Sequence, residues 1–314
     1  MQRPVARAVL VTLAVTTLAA CAGERINSPS GSTGDVTGLI TAADMRTPIP
    51  GVLVAPYGFA GPTATTDQKG RYTLAGLPIG GRSLLATRGH FAAKVPIDVF
   101  GSVLTEQPPG VLVPTGKLAF VKGAWDHIEG IVRDDLRNPM DEITAADLAN
   151  PAITSLYDMI FLNCGLDVTK ASDAATIENL RAYIANGGIV YASDYASAYA
   201  QALFPSDFIT IGGSGEVDPA VPGTITNQSL LDFVGKTDVT IAYDLGAWKT
   251  LDALSANVTT LLTGTYQAGG STWTRPLAVV LDHGAGHLVY TTFHNEAGVT
   301  DDQLKVLYYF IYLP

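Results

Sequence analysis

Cysteine occurs only twice in 314 residues, at Cys21 and Cys164, so no disulfide framework is expected and stability has to come from packing. Cations are scarce too. Against 29 Asp and Glu stand 19 Lys and Arg, a formal charge of −10, and the cations nowhere form a run. Phosphate contacts need clustered cations, which argues against a nucleic-acid partner. Beyond the first twenty residues no stretch is long and apolar enough to cross a bilayer, which takes about 20 residues. What is abundant is apolar surface: 47% hydrophobic against 15% charged residues is the balance of a folding chain, and the length suits about two domains.

Residues 1–20 carry Arg3 and Arg7 ahead of an uncharged, mostly apolar run over 8–20, the layout of a secretory signal. Leu18-Ala19-Ala20-Cys21 then resembles the bacterial lipobox. That resemblance implies acylation of the Cys21 sulfur, cleavage before it, and a protein tied to a membrane by its N-terminal lipid. The alternative is an ordinary secretory peptide cut at an Ala-x-Ala-like site. Loss of residues 1–20 removes two arginines and no acid, moving the formal charge from −10 to −12. Residues 21–34 are small and polar and read as a lipid-anchored flexible tether. Ala22 is not the aspartate that resembles an inner-membrane retention signal, so the outer membrane of a cell envelope is favoured.

Over 35–115 short apolar runs are broken by Gly, Pro and Asp. Strands are expected at 36–40, 52–55, 71–74, 83–87 and 94–99, a pattern that indicates an all-β sandwich. Val36-Thr37-Gly38-Leu39-Ile40, Pro50-Gly51-Val52-Leu53-Val54 and Thr66-Asp67-Gln68-Lys69-Gly70-Arg71-Tyr72-Thr73-Leu74, with Leu77-Pro78-Ile79-Gly80-Gly81, together resemble a carboxypeptidase regulatory-like domain, a transthyretin-like sandwich. No zinc site or peptidase domain accompanies it, so the resemblance implies no proteolysis.

Over 116–314 strands alternate with helices. Strands are expected at 118–121, 157–162, 189–192, 239–243, 276–281 and 287–292, and helices at 126–136, 174–186 and from Thr300, whose Gln303 has capping-box spacing. The alternation predicts a doubly wound, mostly parallel, flavodoxin-like α/β domain. The whole chain is therefore expected to be multidomain, a small sandwich followed by this α/β fold.

Ligands of such sheets settle beyond the carboxyl ends of the strands. Those ends carry Lys122, Trp125 and Asp126, then Asn163 and Cys164, then Ser193 and Asp194, then His294, Asn295 and Glu296. Trp125, Asp126, Asn163, Cys164, Asp194, His294 and Glu296 are the expected cleft, holding acids, bases and a thiol. The run from His287 through Phe293-His294-Asn295-Glu296 resembles the end of a class I glutamine amidotransferase-like domain, whose closing strand delivers a His-x-Glu pair. Tyr157-Asp158-Met159-Ile160-Phe161-Leu162-Asn163-Cys164-Gly165 resembles an earlier strand and loop of that superfamily, and the segment from Asn186 to Asp194 occupies the place of the strand leading to its nucleophile.

The departures set the functional expectation. That family places its cysteine in a Gly-x-Cys-x-Gly elbow, because a strained strand-to-helix turn tolerates only small neighbours. Here the segment reads Tyr191-Ala192-Ser193-Asp194-Tyr195, with tyrosines for glycines and no cysteine. The expected function is a non-catalytic envelope lipoprotein that binds a small ligand or an envelope protein. The competing reading is an amidase or a serine or cysteine hydrolase, in which Ser193 attacks, His294 takes its proton and Glu296 holds the imidazole. A third reading is a structural module without a ligand. Asp194 also reads as a helix-capping carboxylate, and Cys164 as a small buried hydrophobe. No cofactor or metal is expected; Asp282, His283 and His287 about a tight turn come closest to a ligand set.

Overall fold

Alternation of buried and exposed residues builds the first part, as in Phe91–Val99, where Phe91, Ala93, Val95, Ile97 and Val99 all point inward. A computed structural model of the chain describes residues 32–295 and 299–314. The signal segment, Cys21, the tether to residue 31 and Glu296 lie outside the described residues. Two sheets face each other. Thr33–Thr41 pairs with Arg71–Pro78, Leu104–Glu106 and Gly110–Val111 in one; Ala64–Thr65, Leu53–Pro56, Gly80–Arg88, Phe91–Val99 and Val113–Pro114 run in that order in the other. The turn before Arg71 folds as its residues dictate. Asp67 accepts the Lys69 and Arg71 amides, and Gly70 sits at φ +70°, where a Cβ would meet the Ile40 carbonyl oxygen at 2.6 Å.

The second part corrects the expected fold: it is not doubly wound and mostly parallel. Its eleven-stranded sheet is mixed. Met140–Ile143, Leu118–Val121, Met159–Leu162, Ile189–Ser193 and Gly286–Thr291 lie parallel in that spatial order. Ser271–His283 then pairs antiparallel with Gly286–Thr291, and Val258–Ala268 with Ser271–His283. Thr210–Gly215, Asp218–Ile225, Asp238–Tyr243 and Trp248–Ala253 continue the antiparallel half. The cause is turn length. Gly269 and Gly270, both at positive φ, leave room only for a hairpin, whereas a parallel return needs a crossover of a dozen residues or more.

Each parallel strand sends alternate residues to opposite faces. Ala119, Val121, Ile160, Leu162, Val190 and Ala192 join the core under the helices Ala174–Ala185 and Ser197–Leu203. Phe120, Met159, Phe161, Ile189 and Tyr191 join a core that holds the last helix, Asp301–Ile311, and runs on without a break into the sandwich. The expected helix over 126–136 is instead a π-helical turn, Gly130–Asp135. No helix among the described residues is long and apolar enough to cross a membrane.

Candidate functional site

At the carboxyl end of Ile189–Ser193 the chain turns sharply into a helix, and Asp194 makes the turn at φ +41°. That backbone is strained for any residue with a Cβ, the property of an elbow that thrusts one side chain forward. The residues two positions to either side are Ala192 and Ala196, both buried. This moves the elbow one residue beyond Ser193. Tyr191 and Tyr195 therefore do not crowd it: Tyr191 points into the core to its Thr291 and Asn295 hydrogen bonds, and Tyr195 is partly exposed under Lys249.

Two chemically distinct side chains converge on this hook. The Cys164 thiol donates to Asp194 Oδ2 across 3.5 Å, and His294 Nε2 lies 2.9 Å from the same oxygen. The imidazole–carboxylate contact is a buried ion pair, and the Cys164 thiol lies beside the same ring. Asp194 Oδ1 accepts the Lys249 backbone N–H at 2.5 Å, so the carboxylate does not cap its own helix. Burial pulls the His294 pKa down, but its contacts with Asp194 and Cys164 outweigh this and raise it to about 11. Burial pushes the Cys164 thiol up, which keeps it protonated and poorly nucleophilic.

A second buried network lies behind the first. Ser193 Oγ donates to Asp126 Oδ2 at 2.5 Å and accepts the Cys164 N–H at 3.1 Å, while Asp126 Oδ1 accepts the Asn295 N–H at 3.1 Å. Full burial raises the Asp126 pKa to about 6, although Ser193, His294 and Asn295 oppose the shift. Asn163 donates to Glu129 Oε2 at 2.7 Å and to the Asp126 carbonyl. Close backbone packing holds these loops together. A Cβ at Gly123 would meet the Cys164 carbonyl oxygen at 2.0 Å, and that approach lets the Trp125 N–H donate to it at 3.1 Å.

Of the residues expected at the cleft, Asp126, Asn163, Cys164, Asp194 and His294 are brought together and buried. Trp125 stands at the rim, 55% exposed, and Glu296 lies outside the described residues. Ser193 is engaged by Asp126, while His294 meets Asp194 instead. The turn histidines stay apart from this cluster: His287 pairs with Asp282 at 2.8 Å and His283 packs edge-on against Phe204. Glu129, Lys249, Tyr290 and Gln303 also build the site. Tyr290 donates to the Asp194 carbonyl at 2.9 Å and Gln303 donates to the His294 carbonyl. Glu129 reaches the site just before the Gly130–Asp135 turn, and Lys249 comes from an antiparallel strand that the sequence pattern conceals.

No protein-family model and no curated protein matches the chain. Solved structures similar to it include a ThuA-like protein from Bacteroides uniformis, 11% identical, covering 62% of this chain and 89% of that one, with a TM-score of 0.45. A protein described as a GMP synthase subunit from Thermoplasma acidophilum is 13% identical, with coverage of 62% and 92% and a TM-score of 0.44. PurLQS from Thermotoga maritima is 13% identical, with coverage of 62% and 97% and a TM-score of 0.45. The structural neighbours thus include ThuA-like and glutamine amidotransferase-like proteins.

Proposed function

We propose that the chain is a lipid-anchored protein of the bacterial cell envelope whose α/β part binds a small ligand or an envelope protein without forming a covalent intermediate. The anchor rests on the charged start, the apolar run and Leu18-Ala19-Ala20-Cys21. The non-covalent reading rests on one observation: an aspartate occupies the elbow, with one carboxylate oxygen held by the Lys249 N–H and the other by His294 and Cys164. Amide transfer through a thiolate needs a sulfur on the hook, and the nearby sulfur sits one strand away with its pKa raised. The same hydrogen bonds weaken Asp194 as a nucleophile, because both oxygens have their lone pairs engaged.

Iodoacetamide treatment of the full chain at neutral pH, followed by peptide mapping, tests this reading. Cys164 is expected to stay unmodified until denaturant is added. Rapid stoichiometric alkylation of Cys164 in the folded chain would favour the cysteine-hydrolase reading instead. For the anchor, labelled palmitate is expected to enter the wild-type chain and to be lost in Cys21→Ala; equal incorporation in both removes the lipobox reading.

A further inference from the structure

The buried cluster is more than an inactivated elbow. Cys164 Sγ, Asp194 Oδ2 and His294 Nε2 all lie within 4.8 Å of one another. They are a thiol, a carboxylate and an imidazole, three of the ordinary protein ligands of a borderline-soft divalent ion. With metal–ligand bonds of about 2.0–2.3 Å, tetrahedral geometry sets the oxygen–nitrogen edge at ~3.3 Å and the sulfur–oxygen edge at ~3.6 Å. Two of the three separations are 2.9 Å and 3.5 Å, within a few tenths of an ångström of those edges, and the third, from Sγ to Nε2, is within 4.8 Å.

An independent observation points the same way. The three donor side chains are enclosed together: Cys164 is fully buried, Asp194 is 1% exposed and His294 6%. The surrounding contacts have the form of an outer shell. Asp194 Oδ1 takes the Lys249 N–H, His294 Nδ1 lies 3.7 Å from Asp244 Oδ1, and the backbone carbonyls of Asp194 and His294 are fixed by Tyr290 and Gln303. Magnesium and calcium are disfavoured by the sulfur and by the lack of an oxygen cage.

We infer that Cys164, Asp194 and His294 bind one divalent transition-metal ion of the zinc class, which displaces the thiol and imidazolium protons to solvent as it binds, with the fourth position left to water or a ligand group. The inference rests on the non-covalent reading of the site, since it names what the site holds. Cobalt(II) added to the full chain is the probe. One equivalent is expected to bind with a thiolate-to-cobalt charge-transfer band, displaced by zinc. Cys164→Ser is expected to lose that band, Asp194→Asn and His294→Gln to weaken binding at least tenfold, and His287→Gln at the distant turn to change nothing. Circular dichroism confirms that each variant is folded. If wild type gives no band while Cys164 remains unalkylated by iodoacetamide, the metal inference fails and the non-covalent reading stands. Should the band be absent and Cys164 alkylate rapidly, both fail. A band that persists in folded Cys164→Ser also overturns the inference.

Discussion

Asp126 shows how burial alone turns an ordinary carboxyl group into a titrating one. It is fully enclosed, receives hydrogen bonds from Ser193 and the Asn295 amide, and still has its pKa raised to about 6 from 3.8. Because the folded state holds this proton more tightly than the unfolded chain, its contribution to stability is complete below pH 4 and declines as the pH rises through about 6. Asparagine keeps the shape and cannot ionise. Asp126→Asn is therefore expected to gain on wild type between pH 4 and pH 7 by an amount on the order of 3 kcal/mol, levelling off above. Chemical denaturation of both chains at several pH values measures it, and a pH-independent difference would show that Asp126 is charged throughout. Asp44, Asp147, Asp167 and Asp173 have lowered pKa values and act below pH 4, in the opposite sense, so the difference between the two chains isolates Asp126. Legibility at this scale was uneven. The strand-end residues were readable because parallel strands put their exits together, but the position of the hook was not. Asp tolerates a positive φ better than most residues but does not demand one, so the bend at Asp194 is set by tertiary structure, and the small pair Ala192 and Ala196 becomes informative only once Asp194 is known to be the bend.

The last helix carries the clearest case of a local signal put to a different use. Thr300 caps it as the spacing predicts, accepting the Gln303 N–H at 3.1 Å, but the Gln303 side chain does not return to the cap. It accepts the Ala242 N–H at 3.1 Å and donates to the His294 carbonyl, tying helix, antiparallel strand and site loop together. Thr300 also donates to the Thr240 carbonyl at 2.6 Å, so the reference is the loss of one cap interaction: if Gln303 served only the helix end, Gln303→Ala would cost about 1 kcal/mol. One buried backbone group, the His294 carbonyl, and one part-buried group, the Ala242 N–H, lose their partner in Gln303→Ala, so that variant is expected to cost more, about 2–4 kcal/mol, by urea denaturation. A cost of only about 1 kcal/mol would reduce Gln303 to a residue of the helix end. The same contrast explains what was legible among the elements. Leu118–Val121, Met159–Leu162 and Ile189–Ser193 are apolar on both faces and stand out in the sequence. Thr210–Gly215, Asp218–Ile225 and Trp248–Ala253 are half-exposed, interrupted by Gly, Pro or charged residues, and gain their order from pairing. Their register was beyond a local reading, and with it the mixed character of the sheet.

For the molecule as a whole, the sandwich is built into the α/β part. Phe91 of the sandwich packs on Tyr312 just after the last helix, ring centres 4.4 Å apart. Arg88 lies over the rings of Phe233 and Tyr309 and donates to the Gly51 carbonyl at 2.9 Å. A Cβ at Gly89 would meet the Leu313 carbonyl oxygen at 2.0 Å, so the hairpin tip of one part rests directly on the C-terminal backbone of the other. The buried residues of the sandwich and those on the sheet face that carries the last helix accordingly form one continuous core. A spacer joined by a loose linker would melt separately; shared packing couples the two parts, because neither can unfold without exposing apolar surface of its neighbour. Calorimetry is expected to show one transition for the chain. Phe91→Ala is expected to cost about 3–5 kcal/mol and to lower that single transition without splitting it. Two resolved transitions in wild type, or a Phe91→Ala chain in which only the sandwich melts earlier, would mean that the shared core does not couple the two parts. A single transition would also give the envelope reading a mechanical consequence: once past the tether, the sandwich and the site above it would move as one rigid body.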